Sequence, residues 1–516
     1  MSFLPNNIKT YEEYRDALSA LICGRGAQEA ASTLISKPPI SERLIQSIWA
    51  EKHLKSDAMQ TLSGKPTEIL NTGRWNEESG PDFIAGEIRI GNQILKGDIE
   101  IHIRASDWLR HKHESNYEYN RCILHAFLTH DDGEKFDTLF NGVTIERLCL
   151  EPYLEPDLET LRQIYSADDY NYREDAGVGK CSNVIRKLAP EFLHKFLDLA
   201  GDRRMEEKAE RLRQQLAGES YDQVFYQALM TSMGYKGTKT LFFLLSKRTP
   251  IAELLDYSQG KSDEERILIF QSILLHVANL IPVSEESRVP PDDETLAYLN
   301  SLNRWWAEFS GYFSDRILPA TKRWFTHVRP VNFPTRRIAG ISRLMGLLSR
   351  KEKIFDGILT LFRNAAAQKL DNAGMRRFTK EMENLLRVAS DPFWSYRYNF
   401  TSARTEKPLT LIGADRARSI LYNAVLPMAL VKSRMDADKP LEEILWRCIR
   451  DYPTLSENVI TKFMRRRLFG DDETARPFLF NERRHQALFK IFHDCCNSNE
   501  TTCDECYFYR QCGEQI

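Results

Sequence analysis

The chain has 516 residues, 42% hydrophobic and 28% charged, with 71 Lys and Arg against 73 Asp and Glu for a formal net charge of −2. That length carries a large core without disulfide staples and, at roughly 150 residues per domain, predicts two to four domains. The composition excludes a disordered, collagen-like or coiled-coil chain, and the balanced charge excludes a uniformly basic nucleic-acid binder, so any such surface is local.

Tyr11 to Ile22 carries Leu18, Leu21 and Ile22 at helical spacing, and Pro38-Pro39 ends this helical preface. A second helix starts at Ser41, an N-cap residue type, and runs through Leu44, Ile45, Ile48 and Trp49. From residue 66 to 150 the pattern becomes that of a sheet. Glu68 to Leu70 predicts a short strand, Asn71 to Gly80 a polar loop, and Phe83 to Ile90 a strand that turns at Gly91-Asn92 into Gln93 to Leu95. Asp98 to Arg104, Cys122 to Leu128 and Val143 to Cys149 are further strand candidates. From about residue 185 the apolar spacing is helical: Glu191–Leu199, Met205–Leu216, Tyr221–Met233, Glu264–Leu280, Asp293–Trp306, Ala339–Leu348, Ala417–Val431 and Glu482–Phe492. Ser284 to Asp293 and Phe333-Pro334 read as linkers or turns. No run of about 18 apolar residues predicts a membrane span, and Met1 to Thr10 lacks the basic-then-apolar pattern of a secretory signal.

Gly97-Asp98-Ile99-Glu100-Ile101-His102-Ile103 is the most informative stretch. Strand alternation sends Ile99, Ile101 and Ile103 to one face and Asp98, Glu100, His102 and Arg104 to the other. Four ionisable groups on one face are solvated, paired with one another, or bound to something. Gly80-Pro81-Asp82 precedes Glu100 by 18 positions. This spacing resembles the PD-(D/E)XK nuclease core, in which an acid at the start of one strand is followed by an acid, any residue and a lysine on the next. The resemblance implies a mixed sheet with flanking helices, with Asp82 and Glu100 holding Mg²⁺ or Mn²⁺ through oxygen and the residue at 102 orienting or deprotonating water. His102 stands where that family has lysine, which leaves both the activity and the preferred metal open. The density of His102, His111, His113, His125 and His130 in this one segment suits hydrogen-bond donors around a phosphate or the groups that hold a metal, with His111, His113 and His125 foremost as supports of the site. The plain alternative is an exposed strand face whose acids and bases pair.

Five of the ten cysteines fall in the last 22 residues, which fits a reducing cytoplasm and one terminal metal site better than a disulfide framework. The spacing Cys496-x6-Cys503-x2-Cys506-x5-Cys512 resembles the four-cysteine loop of endonuclease III-like DNA glycosylases, which implies a [4Fe–4S] cluster. Four thiolates also suit zinc, and in the plainer reading the cysteines staple a C-terminal end that lacks its own core. Glycosylase activity does not follow, because no catalytic Lys and Asp arrangement accompanies the cysteines.

Two basic segments stand out. Lys322 to Lys353 includes Arg329, Arg336 and Arg337 with Glu352 as its only acid, and Arg465-Arg466-Arg467 forms a second run. Such runs neutralise phosphates when displayed on a surface, or serve as solvated helix faces and buried pairs.

Ile48-Trp49, Gly80-Pro81-Asp82-Phe83, Glu100-Ile101-His102, Ser106-Asp107-Trp108, His111-Lys112-His113, Ile123-Leu124-His125, Arg329-Pro330-Val331-Asn332-Phe333-Pro334 and the terminal cysteines together resemble a bacterial family known as domain of unknown function 2851. The likeness runs from about residue 41 through most of the chain. The expected organisation is a helical extension over 1–40, a PD-(D/E)XK-like α/β domain over 41–180, an α-helical region over 181–490 and a cysteine-cluster tail over 491–516. The expected function is that of a metal-dependent nuclease with nucleic acid, DNA foremost, as partner and no membrane association. The rivals are a catalytically degenerate nucleic-acid-binding or scaffold protein, and a metal hydrolase with His102, His111 and His113 as ligands.

Overall fold

The computed structural model describes residues 9–22, 40–55, 58–76, 80–164, 177–234, 238–282, 291–325, 328–349, 354–496, 503 and 506–510. Cys512, Pro38-Pro39, most of the expected 284–293 linker and the basic residues 350–353 lie outside these. The chain forms two compact units: residues 1–190, 458–475 and 491–516 make the first, and residues 191–457 and 476–490 the second. Among the described residues no helix is long and apolar enough to cross a membrane.

The first unit opens with α1 (Tyr11–Ile22) and α2 (Glu42–Ala50). Ser41 caps α2 by accepting the Leu44 N–H at 3.3 Å. A seven-stranded mixed sheet follows, with β1 (Thr67–Asn71), β2 (Arg74–Trp75), β3 (Phe83–Ile90), β4 (Gln93–Arg104), β5 (Cys122–Thr129), β6 (Phe136–Thr138) and β7 (Thr144–Cys149). Its order is β1-β3-β4-β5-β7-β6, with β2 also on β3. Gly91-Asn92 makes the β3–β4 hairpin, and Gly91 takes the positive φ of 57° that such a turn needs. β4, β5 and β7 run parallel, so chain segments must cross over to join them, and the β4–β5 crossover carries the short helix α3 (Asp107–Arg110). Gly86 and Gly97 face each other at the bulge of β3 on β4; a Cβ on Gly86 would stand 2.1 Å from Ile99 Cδ1. After α4 (Leu158–Ile164) and α5 (Ser182–Ile185), the unit is completed by α18 (Val459–Phe469), α19 (Asp472–Ala475) and α21 (Tyr507–Arg510), labelled by position in the whole chain. α21 lies on α1: Tyr507 donates to Asp16 at 2.6 Å, and Ser19 donates to the Phe508 carbonyl at 3.3 Å.

The second unit is helical: α6 (Pro190–Gln215), α7 (Tyr221–Met233), α8 (Lys239–Arg248), α9 (Ile251–Tyr257), α10 (Asp263–Val277), α11 (Asp293–Phe313), α12 (Pro334–Leu348), α13 (Ile354–Ala367), α14 (Asn372–Leu385), α15 (Ala414–Ile420), α16 (Leu426–Met435), α17 (Lys439–Arg450) and α20 (Glu482–Ile491). Trp324, Trp394, Tyr226 and Tyr422 are among the largest side chains of its one continuous core. The two helices expected over 191–216 are one helix of 26 residues. Gly201-Asp202 does not break it, because Gly201 lets the Arg483 carbonyl approach to where a Cβ would stand, at 2.1 Å. Asp202 meanwhile binds the Arg483 guanidinium at 2.6 and 2.7 Å. Phe333-Pro334 is not a loop: Pro334 is the first residue of α12, where a missing N–H costs nothing.

Candidate metal centre

β4 departs from the simple alternation in one respect: its polar face is buried too. Asp98, Glu100 and His102 are 5%, 5% and 1% exposed. α2 and the β4–β5 crossover pack against that face. Buried ionisable groups need partners. Gln46 Nε2 of α2 donates to Asp82 Oδ1 at 2.7 Å, the Ile101 N–H donates to Asp82 Oδ2 at 2.9 Å, and the Asp82 N–H donates to Glu100 Oε2 at 3.0 Å. Asp98 Oδ1 accepts the N–H of Ala85, which sits at φ 58° in the bulge of β3.

The imidazoles converge on the other side of Glu100. His102 Nε2 lies 3.1 Å from His111 Nδ1 and 3.2 Å from His113 Nε2. Glu100 Oε1 stands 3.4 Å from both His102 Nε2 and His113 Nε2. His102, His111 and His113 each offer a ring nitrogen within 4.8 Å of the others, the geometry of a three-histidine metal site. The crossover makes this possible. Ser106 ties it to Asp131 at 2.9 Å through its N–H, and α3 ends at His111. Lys112 then takes a left-handed conformation with φ 60°, which turns His113 back toward β4. Trp108 at 5.3 Å and Tyr119 at 4.0 Å between ring centres hold the His113 ring.

A chain of contacts behind His102 sets its tautomer. Asp137 Oδ2 lies 2.6 Å from His125 Nδ1, so that nitrogen carries the proton. His125 Nε2, 2.9 Å from His102 Nδ1, is then the acceptor, and His102 Nε2 keeps its lone pair toward His111, His113 and Glu100. Arg147, fully buried, secures Asp137 at 3.1 Å and chelates Asp132 at 2.8 and 2.9 Å. Burial, then the neighbouring histidines, hold His102 well below the usual imidazole range. The same causes bring His113 down to about 3, and burial lowers His125. All three are therefore neutral near pH 7; His102 and His113 are able to ligate, while both ring nitrogens of His125 are engaged by Asp137 and His102.

The acids behave oppositely. Burial, then Asp82 and Glu42, push Glu100 well up; burial pushes Asp82 up to about 6; burial, then Asp82 and Asp107, push Glu42 up to about 8, against lowering by Arg110 and Arg43. A carboxyl whose folded pKa is raised contributes stability that is present below its ordinary pKa and lost as pH rises through the folded one. The depressed histidines act in the reverse sense, but only below about pH 6.5, the ordinary imidazole pKa. The window above it, to about 8, belongs to the acids. In chelator the thermal midpoint is expected to fall across that window, and Glu42→Gln to flatten the fall. Midpoints followed by circular dichroism check this, and an unchanged slope in the variant would remove Glu42 from the account.

The sequence-predicted residues Asp82, Glu100, His102, His111, His113 and His125 thus come together in one place. Glu42, Gln46, Asp137 and Arg147 are additions. Glu42 and Gln46 sit four apart on α2, a helical spacing that puts them on one face; Asp137 lies on a three-residue strand without a sequence signal. Arg336 and Arg337 are buried, with their guanidinium groups on backbone carbonyls, so α12 does not display them for phosphate. Arg467 is buried against Cys503 Sγ at 3.2 Å, Arg465 pairs with Asp472 at 2.9 Å, and Arg329 and Arg466 are exposed. Cys496, Cys503 and Cys506 are buried, and the described cysteines form no disulfide.

A family model described as a protein of unknown function (DUF2851) matches residues 42–458. The chain belongs to this family. The match takes in the whole sheet and every member of the Glu100–His102–His111–His113 cluster, and leaves α1 and the terminal cysteines outside it. No curated protein and no solved structure matches the chain.

Proposed function

We propose that this DUF2851 protein is a metal-dependent hydrolase of nucleic-acid phosphodiester bonds, with its metal on His102, His111 and His113. One observation carries the reading: three imidazoles and the Glu100 carboxyl group converge on one position, and the His125–Asp137–Arg147 chain fixes the lone pair of His102 toward it. A divalent ion bound there would supply Lewis acidity toward a phosphoryl oxygen and would acidify water. His102, His111 and His113 would hold it through nitrogen, which would favour zinc or another borderline transition ion. Glu100 Oε1 faces the same position, and with a cation there to favour its ionised form it would be placed to accept a proton from water. Arg110 and Lys112 are exposed on the crossover beside His111, and exposed Tyr117 offers a ring face for a base. The thiols, none paired among the described cysteines, fit a reducing cytoplasm.

A second reading has Asp82 and Glu100 as ligands of Mg²⁺ or Mn²⁺, with His102 in the place of lysine. The mutual field of Glu42, Asp82 and Glu100 favours it, since a hard cation relieves that repulsion. The two readings separate on metal identity. Full-length protein is assayed on single- and double-stranded DNA and RNA, with metal content measured on the same samples. The histidine centre predicts about one transition ion per chain beyond any held by the cysteines, lost in His113→Ala together with cleavage. Cleavage that needs added Mg²⁺ or Mn²⁺ and survives His113→Ala selects the carboxylate centre. Nucleic-acid binding without turnover by any metal form leaves the degenerate binding module.

A further inference from the structure

Three separate parts of the first unit meet around buried sulfur. Residues 177–181 lead into α5 and carry Cys181. α18 carries Arg467. The last part of the chain carries Cys496, on the π-helical turn Phe492–Cys496, and Cys503 and Cys506 ahead of α21. Cys181, Cys496, Cys503 and Cys506 are 4%, 8%, 8% and 7% exposed, and none is in a disulfide.

Short contacts lock these parts together. The Gly179 N–H donates to the Arg467 carbonyl at 2.9 Å, and Arg467 Nη1 donates to the Gly177 carbonyl at 3.3 Å. Arg467 Nη2 lies 3.2 Å from Cys503 Sγ, and the Lys180 N–H donates to the same sulfur at 3.4 Å from a point 323 residues earlier in the chain. Position 179 must be glycine for this approach: a Cβ there would stand 2.8 Å from the Arg467 carbonyl oxygen and 3.3 Å from Cys181 Sγ. Cys503 and Cys506 are close enough to Cys181 to act on its thiol electrostatically, and Cys496 hydrogen-bonds to Cys506. A neutral thiol is a weak acceptor, whereas a guanidinium and an amide N–H aimed at one buried sulfur suit a thiolate or a metal-bound sulfur.

We propose that Cys181 is a ligand of the same thiolate metal centre as Cys503 and Cys506, with Arg467 and the Lys180 N–H bonded to the Cys503 sulfur. The residue that sequence spacing passes over, because more than three hundred positions separate it from the tail, then adds a covalent tie to the hydrogen bonds that hold the tail on the rest of its unit. An iron–sulfur cluster and a zinc ion share this ligand chemistry, and binding of either to a set drawn from distant parts of the chain adds to folding stability.

The test uses full-length protein purified without oxygen. Iron, acid-labile sulfide and zinc are counted per chain: iron with sulfide and visible absorption identifies a cluster, zinc alone a mononuclear site. Cys181→Ala is expected to lower the metal to under about a tenth of wild type, as Cys503→Ala does, while Cys448→Ala, at a buried cysteine of the second unit, leaves it unchanged. Alkylation of wild type read peptide by peptide covers the case in which Cys181→Ala fails to fold. Cys181 should become reactive together with Cys503 and Cys506 as chelator strips the metal, with Cys448 still protected. Full metal and an unaltered spectrum in Cys181→Ala, release of Cys503 and Cys506 with Cys181 still protected, or wild type free of metal would each overturn the proposal.

Discussion

Glu100→Gln is expected to lower the proposed phosphodiester cleavage by at least about 10³-fold while leaving the chain folded and the proposed histidine-held metal in place. The amide keeps the size of the carboxylate and can still accept the Asp82 N–H, now held at 3.0 Å, so the β4 register has no reason to change. What it loses is the ability to take a proton at the position faced by Glu100 Oε1, 3.4 Å from His102 and His113. It also removes one of three mutually repelling acids, so the metal-free variant should melt above metal-free wild type near pH 8 and level with it near pH 4.5. Lost activity with raised stability is the signature of a strained functional group rather than of a structural one. Initial rates at saturating metal and thermal midpoints in chelator measure the two arms. Cleavage within tenfold of wild type would take Glu100 out of the chemistry. Lost activity with a lowered midpoint at both pH values would make it a structural residue.

Much of the first unit was legible because its signals are local. Alternation and the Gly91-Asn92 turn specify β3 and the start of β4, and Ser41 marks the start of α2. Ile99 and Ile101 face a core as their spacing requires. The opposite face of β4 was not legible as buried, because the cover comes from α2, some fifty residues earlier, and from the β4–β5 crossover. Parallel pairing of β4, β5 and β7 also leaves no local mark, since its partners are brought together only by crossovers. The histidines were visible as a dense segment, but a count cannot say which nitrogen points where. That information sits in Asp137 and Arg147, neither of which carries a motif. In the second unit, helical periodicity found most helices and split α6 at Gly201-Asp202, where a glycine that usually weakens a helix instead admits a close neighbour.

Arg336 reads as part of a basic patch and is 1% exposed. Its guanidinium donates to the carbonyls of Val331 at 3.2 Å, Arg397 at 2.9 Å, Leu409 at 3.3 Å and Thr410 at 3.1 Å, and also to that of Trp394. These carbonyls come from irregular segments around α12 that have no ladder to satisfy them, and one side chain does so for all five. Burial lowers the Arg336 pKa, and the convergent carbonyl dipoles compensate for its lost hydration. Arg336→Leu removes the donors and leaves buried acceptors unpaired, at about 1–3 kcal/mol each where water cannot enter. A loss of about 3–5 kcal/mol is expected, a large part of the stability of an ordinary domain. Arg336→Lys should recover only part of it, because an ammonium presents three donors from one point instead of a planar fork. Urea unfolding of the full chain reads this effect. Nucleic-acid titrations over a salt series read the other: the folded fraction of Arg336→Lys should keep the wild-type salt slope. A variant as stable as wild type whose slope falls by about 0.9 would instead place Arg336 on a phosphate.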